Sequence, residues 1–141
     1  MHHRDHQTDS VSQELRAHGV IPTAQRLRIA RMVLNRPAHF SAEQLYEQVN
    51  EDGARVSKAT IYNTLGLFVE KGLLRQVLVD PSKVFYDSNM TPHHHFYDVE
   101  SGELADIDAD EIQIGALPDA GEGVEIEGVD VVIRVRRSAN R

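Results

Sequence analysis

The sequence predicts an α+β protein made of two parts, and three observations carry that prediction. Capped helical patterns fill the first half of the chain. Two β-rich runs joined by Asp80-Pro81-Ser82 follow them. Alternating strand patterns, with little helical spacing, fill the remainder.

Taken in order, "SVSQELRAHG" predicts a short helix capped near Ser10 and stopped at Gly19, preceded by an unstructured terminus that holds His2, His3 and His6. "PTAQRLRIARMVLN" predicts a second helix, with Thr23 as N-cap and Leu27, Ala30, Val33 and Leu34 at helical spacing. In "SAEQLYEQV", Ser41 and Gln44 form the S-x-x-Q pattern of a capping box, and Leu45 and Val49 lie one turn apart. "SKATIYNTLGLFVEKG" predicts a fourth helix between the cap Ser57 and the stop Gly72. Its inward stripe is Ile61, Leu65, Phe68 and Val69. "LLRQVLV" and "KVFYD" flank the turn and close the helices with a hairpin. Helices followed by a two-stranded hairpin are the pattern of a winged helix-turn-helix, which places the first domain at residues 1–83 and a second at 84–141. In the second part "HHHFYDV", "ELADI" and "VDVVIRVRR" read as strands, the last half-buried with Val129, Val131, Ile133 and Val135 on one side. Ser101-Gly102 turns the chain between the first two, and "GALPDAGEGVEIEG" has poor helical character. A part of roughly 50 residues buries little core alone, so dimerisation through it is expected.

Composition narrows the chemistry. The 141 residues include no cysteine, which removes disulfides, thiolate metal sites and thiol redox sensing together. A metal must be held by His, Asp and Glu. No stretch is long and apolar enough for a bilayer, and the N-terminus lacks the apolar core of a signal peptide, so a cytoplasmic protein is expected. The net charge is −7, but it is uneven: 11 Lys+Arg against 9 Asp+Glu over residues 1–83, and 4 against 13 over residues 84–141. The mildly basic first part suits nucleic acid, and the asymmetry points to two roles.

The fourth helix begins with Lys58, Ala59, Thr60, Tyr62 and Asn63, which are small or hydrogen-bonding residues rather than the Glu/Lys mixture of a solvated face. A recognition helix places such residues at base edges: Asn can pair with adenine, and Ala, Thr or an aromatic ring can touch a thymine methyl. Arg26, with Arg28, Arg31 and Lys83, would contact phosphates. A protein-binding role is the alternative for such a domain. In "TPHHHFYD", residues i and i+2 of a strand share a face, so His93 and His95 converge while His94 points elsewhere. Asp87 and Asp106 flank the run, and His39 stands alone before the capped helix at Ser41. Imidazole and carboxylate donors suit Fe(II), Mn(II) or Zn(II). His2, His3, His6 and His18 receive no role. A His-ligated metalloenzyme is the rival class, but no general base or substrate pocket is recognisable, so the protein is not expected to be an enzyme.

"TAQRLRIARMVL", "AHFSAEQLYEQV", "VSKATIYNTLGLFVEKGLL", "KVFYD" and "HHHFYDVESGELADI" together resemble the ferric uptake regulator (Fur) family, over nearly the whole chain. The "HHHFYDVE" run and the "VDVVIRVRR" ending are most similar to its iron response regulator (Irr) branch. The resemblance implies a winged-helix DNA-binding domain followed by a small α/β dimerisation domain, with a regulatory metal on His39, Asp87, His93, His95 and Asp106, the pentad of the peroxide-sensing regulators. It implies a homodimeric, metal- or haem-responsive transcriptional regulator of iron homeostasis on an AT-rich palindromic DNA operator, with peroxide, manganese or zinc response as the alternative. His93, His94 and His95 are then the candidate haem ligands. The family's structural zinc on CxxC pairs has no counterpart here; Asp98 and Ser101 stand in the places of the first pair.

Overall fold

Neither Pro nor Gly interrupts residues 2–17, and a single helix, α1 (His2–Ala17), runs through them. It therefore begins well before the expected cap at Ser10, and the terminal histidines lie on helix rather than on unstructured chain. The computed structural model describes the protein apart from Met1, residues 35–38, Pro81 and residues 139–141, and it describes side chains from Ser10 onward. Val11 and Leu15, one turn apart, bury α1 against the core. The helix ends where Gly19 takes φ 79° and the Val20 amide donates to the Leu15 carbonyl, a Schellman stop that satisfies a terminal carbonyl.

The next three helices follow their caps. Helix α2 (Ala24–Val33) starts at Thr23, whose side chain accepts from the Arg26 amide. Helix α3 (Ala42–Val49) has the complete capping box of Ser41 and Gln44. Helix α4 (Lys58–Glu70) is capped by Ser57 and stopped by Gly72 at φ 81°. Of its expected inward stripe Ile61, Leu65 and Phe68 are buried and Val69 is half-buried; Thr64 is buried with them. Ile29, absent from the expected stripe of α2, is fully buried. Strands β1 (Arg75–Asp80) and β2 (Lys83–Asp87) pair antiparallel, Val77 opposite Phe85. Phe40 adds an isolated bridge to Tyr86, and their rings stack with centroids 5.8 Å apart. The principal hydrophobic cluster is drawn from Val11 to Tyr86.

The chain divides into compact units at 1–90 and 91–141. The division falls after Met90 rather than after Lys83, because β2 is one half of the hairpin and cannot be separated from β1. In the second unit β3 (His93–Asp98) lies between β4 (Leu104–Asp108), antiparallel, and β5 (Val132–Val135), parallel. A turn of 3-10 helix, Ala109–Glu111, follows β4. The segment from 112 to 131 forms no helix or strand, as its Gly, Pro and Ala content predicts. The end of the chain departs from expectation: β5 starts only at Val132, and of the four residues expected on the inward side Val131 is half-buried while Val129, Ile133 and Val135 are exposed. Among the described residues this unit buries two large apolar side chains, Tyr97 and Ile107, beside its histidines. Among the described residues no helix is long and apolar enough to cross a membrane.

Candidate metal ligands and nucleic-acid interface

Each unit gathers part of the expected metal set. In the first, the bridge between Phe40 and Tyr86 runs antiparallel, so the residue before Phe40 falls opposite the residue after Tyr86. That pairing brings His39 Nε2 to 3.4 Å from Asp87 Oδ2. Asp87 is buried, and its other oxygen accepts from the Asn89 amide at 2.8 Å, which fixes the carboxylate plane. His39 also lines a cavity of about 210 Å³ with Met32, Val33, Phe40, Gln44, Leu45 and Gln48.

In the second unit the register of β3 and β4 sets the geometry. His95 lies directly opposite Asp106, and His93 is two residues away on the same face. His93 Nε2 and His95 Nε2 each stand 3.4 Å from Asp106 Oδ1, and the two imidazole centroids are 4.5 Å apart. One ligand atom from each of His93, His95 and Asp106 lies within 4.8 Å of the others. His93 Nδ1 is 2.7 Å from the Thr91 carbonyl. A carbonyl only accepts, so Nδ1 carries the proton and Nε2 presents its lone pair. This is the arrangement that outer hydrogen bonds impose on metal-ligating histidines. The donor set, imidazole nitrogen and carboxylate oxygen, fits a first-row divalent cation.

His94 is different. It pairs with Ile107, points to the opposite face, and accepts at Nδ1 from the Val131 amide at 3.0 Å. All three histidines of the run are buried within the sheet. At the places where a thiolate pair was excluded, Asp98 Oδ1 accepts from the amides of Glu100 and Ser101, and Ser101 Oγ accepts from the Glu103 amide. These hydrogen bonds close that turn. The amides hold the Asp98 carboxyl below its ordinary value, that of Glu100 most strongly and that of Ser101 next.

The expected DNA-reading residues lie on the first turns of α4. Lys58, Ala59, Tyr62 and Asn63 are exposed and Thr60 is half-buried, its amide donating to the Ser57 cap. Arg26 donates to the Ile21 carbonyl at 2.9 Å and shares a cleft of about 360 Å³ with Asn63, Thr64, Leu67 and Glu70. Arg28, in contrast, is paired with Asp52 at 3.1 Å. Two participants escaped the sequence reading. The Tyr62 hydroxyl donates to Glu43, and the Lys58 ammonium sits 5.5 Å above the Tyr46 ring. The spacing of Glu43 and Tyr46 by three residues was the available signal, but on α3 alone it looks like an ordinary solvated face.

A model of the ferric uptake regulator family matches residues 17–134. The chain belongs to that family. It is 29% identical over 102 residues to the peroxide-responsive repressor PerR of Staphylococcus aureus (strain USA300), spanning 72% of this chain and 69% of that one. The ferric uptake regulator of Pseudomonas aeruginosa with manganese superposes at TM-score 0.68 with 27% identity, over 89% of this chain and 96% of that one. The Vibrio cholerae ferric uptake regulator does so at 0.70 with 25% identity, over 89% and 98%. The expected fold class and family are both borne out. Membership makes the protein a transcriptional regulator of the ferric uptake class.

Proposed function

We propose that the protein is a homodimeric, metal-responsive repressor that reads an AT-rich palindrome with α4. In this reading His39 and Asp87 of the first unit and His93, His95 and Asp106 of the second hold one Fe(II), Mn(II) or Zn(II). The observation that carries it is the Thr91–His93–Asp106 arrangement: a fixed tautomer aims a lone pair at a carboxylate, with His95 beside it. The cation would supply a link between residues on the two units, and so a preference for one of their arrangements. His39 and Asp87 are the residues that would make the DNA-reading unit responsive, because ligands shift an equilibrium only through differential affinity. Half-sites one helical turn apart make the arrangement of two reading helices decide affinity. Iron homeostasis is the regulated process that the Irr-like ending of the chain favours.

Haem is the weaker reading. His93, His94 and His95 are all buried in a central strand, and His94 Nδ1 already accepts a hydrogen bond. An axial ligand to a macrocycle would require β3 to open. Peroxide response is the second reading, favoured by the likeness to the Staphylococcus aureus repressor; hydrogen peroxide applied to Fe(II)-loaded protein, scored by loss of DNA binding, tests it.

Titration with Mn(II) of single variants, paired with DNA binding at each metal concentration, tests the main proposal. His95→Ala should weaken Mn(II) binding by more than the roughly 10–100-fold typical of an outer-shell change. His39→Ala should weaken it and also make DNA affinity independent of Mn(II). A His39→Ala protein whose DNA affinity still follows Mn(II) would sink the five-ligand site.

A further inference from the structure

The first turns of α4 are latched to α3 by two contacts. Tyr62 donates its hydroxyl proton to Glu43 Oε2, and the Lys58 ammonium lies over the Tyr46 ring. Lys58 stands one turn before Tyr62 on α4, and Tyr46 one turn after Glu43 on α3, so each helix offers two residues from one face. Tyr62 is nevertheless 47% exposed. Its ring is open to a ligand while its only proton is already engaged.

A phenol has one O–H to donate. With that proton donated in the hydrogen bond to Glu43, the hydroxyl has no donor left for a phosphate oxygen or for the acceptors at thymine O4 and purine N7. What is left of Tyr62 to meet DNA is the ring, with the hydroxyl oxygen as an acceptor only. Glu43 is well placed to remain ionised. It sits in the first turn of α3, where the helix dipole favours negative charge. Its carboxyl is held below the ordinary value, first by the Tyr62 hydroxyl, with Lys58 and Lys83 adding to the effect. An ionised carboxylate beside the first turn of a reading helix also opposes the phosphate backbone, whatever the base sequence.

We propose that Glu43 is a specificity-determining residue of the DNA-reading surface: it turns the Tyr62 ring towards thymine methyl groups, while its charge weakens binding to every duplex alike. The proposal rests on α4 being the reading helix. Glu43 acts in two separable ways, as the acceptor that positions Tyr62 and as a negative charge. Discrimination is a difference of affinities, so it comes from the positioned ring, and the charge sets the level of binding that all duplexes share.

The two ways are separated by Glu43→Gln, which keeps an acceptor and removes the charge, and Glu43→Ala, which removes both. The full chain loaded with Mn(II) is tested on three probes: a palindromic duplex recovered from a random pool by the wild-type protein, the same duplex with single thymidines replaced by deoxyuridine, and a random duplex. The wild type should lose about fourfold in affinity at one deoxyuridine position per half-site, the worth of one buried methyl. Glu43→Gln should bind the random duplex about fivefold more tightly at physiological salt, with a salt slope steeper by about 0.9 per subunit, and keep its deoxyuridine penalty. Glu43→Ala should show the same tightening and lose the penalty. Tyr62→Phe should also lose the penalty, and should add nothing to Glu43→Ala, since residues acting as a pair are non-additive. If both Glu43 variants keep wild-type random-duplex affinity and penalty while Tyr62→Ala still lowers cognate preference, Glu43 is a bystander and α4 remains the reading helix. If Tyr62→Ala leaves cognate preference unchanged, the reading surface lies elsewhere and both proposals fail.

Discussion

His94 accepts at Nδ1 from the Val131 amide, whereas His93 donates from the same ring atom to the Thr91 carbonyl. Consecutive and chemically identical, the two side chains leave β3 on opposite faces and meet different partners. His94→Ala should therefore destabilise the protein, because the Val131 amide loses its partner at a cost of about 1–3 kcal/mol. It should leave Mn(II) affinity close to wild type, the reverse of His95→Ala. Urea unfolding and Mn(II) titration of the two variants side by side check this. Asp98 gives a second residue-level prediction. Its folded-state carboxyl is held below the ordinary value of 3.8 by the amides of Glu100 and Ser101. A depressed value means stability that is fully present above pH 3.8 and is lost as pH falls through the folded value. The melting-temperature gap between wild type and Asp98→Asn should be constant near neutrality and shrink as the solution is acidified below that point. A gap that widened in acid would mean that the turn does not favour the ionised form.

At the level of elements, α4 depends on its two ends. Ser57 satisfies the Thr60 amide, and Gly72, at φ 81°, lets the Leu73 amide reach back to the Phe68 carbonyl. Ser57→Ala should cost about 1 kcal/mol in urea unfolding. It should also weaken DNA binding, because the uncapped turn carries Lys58, Ala59 and Thr60. Ser41→Ala on α3 should cost about as much stability, since it breaks the capping box shared with Gln44. Its effect on DNA should run through Glu43, two residues into the same turn. For β3 and β4 the controlling quantity is register. A slip of one residue would carry His93 and His95 to the face now held by His94 and dissolve the cluster with Asp106.

On the scale of the whole chain, the two units are unequally provided with core. The main cluster runs from Val11 to Tyr86 and belongs to the first. The second exposes Phe96, Leu117, Val124, Ile126 and Ile133 among others. Exposed apolar surface on so small a unit calls for a partner surface, and a second copy of the chain fits the proposed homodimer. A fragment ending at Met90 should fold with a cooperative unfolding transition, sediment as a monomer and bind DNA weakly. The full chain should sediment as a dimer. A dimeric fragment would place the association surface in the first unit instead.

The helices were legible because their determinants are local. Thr23, Ser41 and Ser57 cap, Gly19 and Gly72 stop, and the apolar spacing between them shows which side goes inward. The candidate ligands stood out because His and Asp are the donors a cysteine-free chain can offer a metal, and period-two geometry alone separates His94 from His93 and His95. The start of α1 was not legible, because Ser10 looks like a cap whether or not a helix already runs through it. Nor was the exposure of β5, whose alternating Val and Ile predict burial although Ile133 and Val135 are exposed in the single chain. The hydrogen bond from Tyr62 to Glu43, and the placing of His39 opposite Asp87 by a single bridge at Phe40, were decided by tertiary structure. Both join residues far apart in sequence, and no local spacing records which helix or strand will pack beside another.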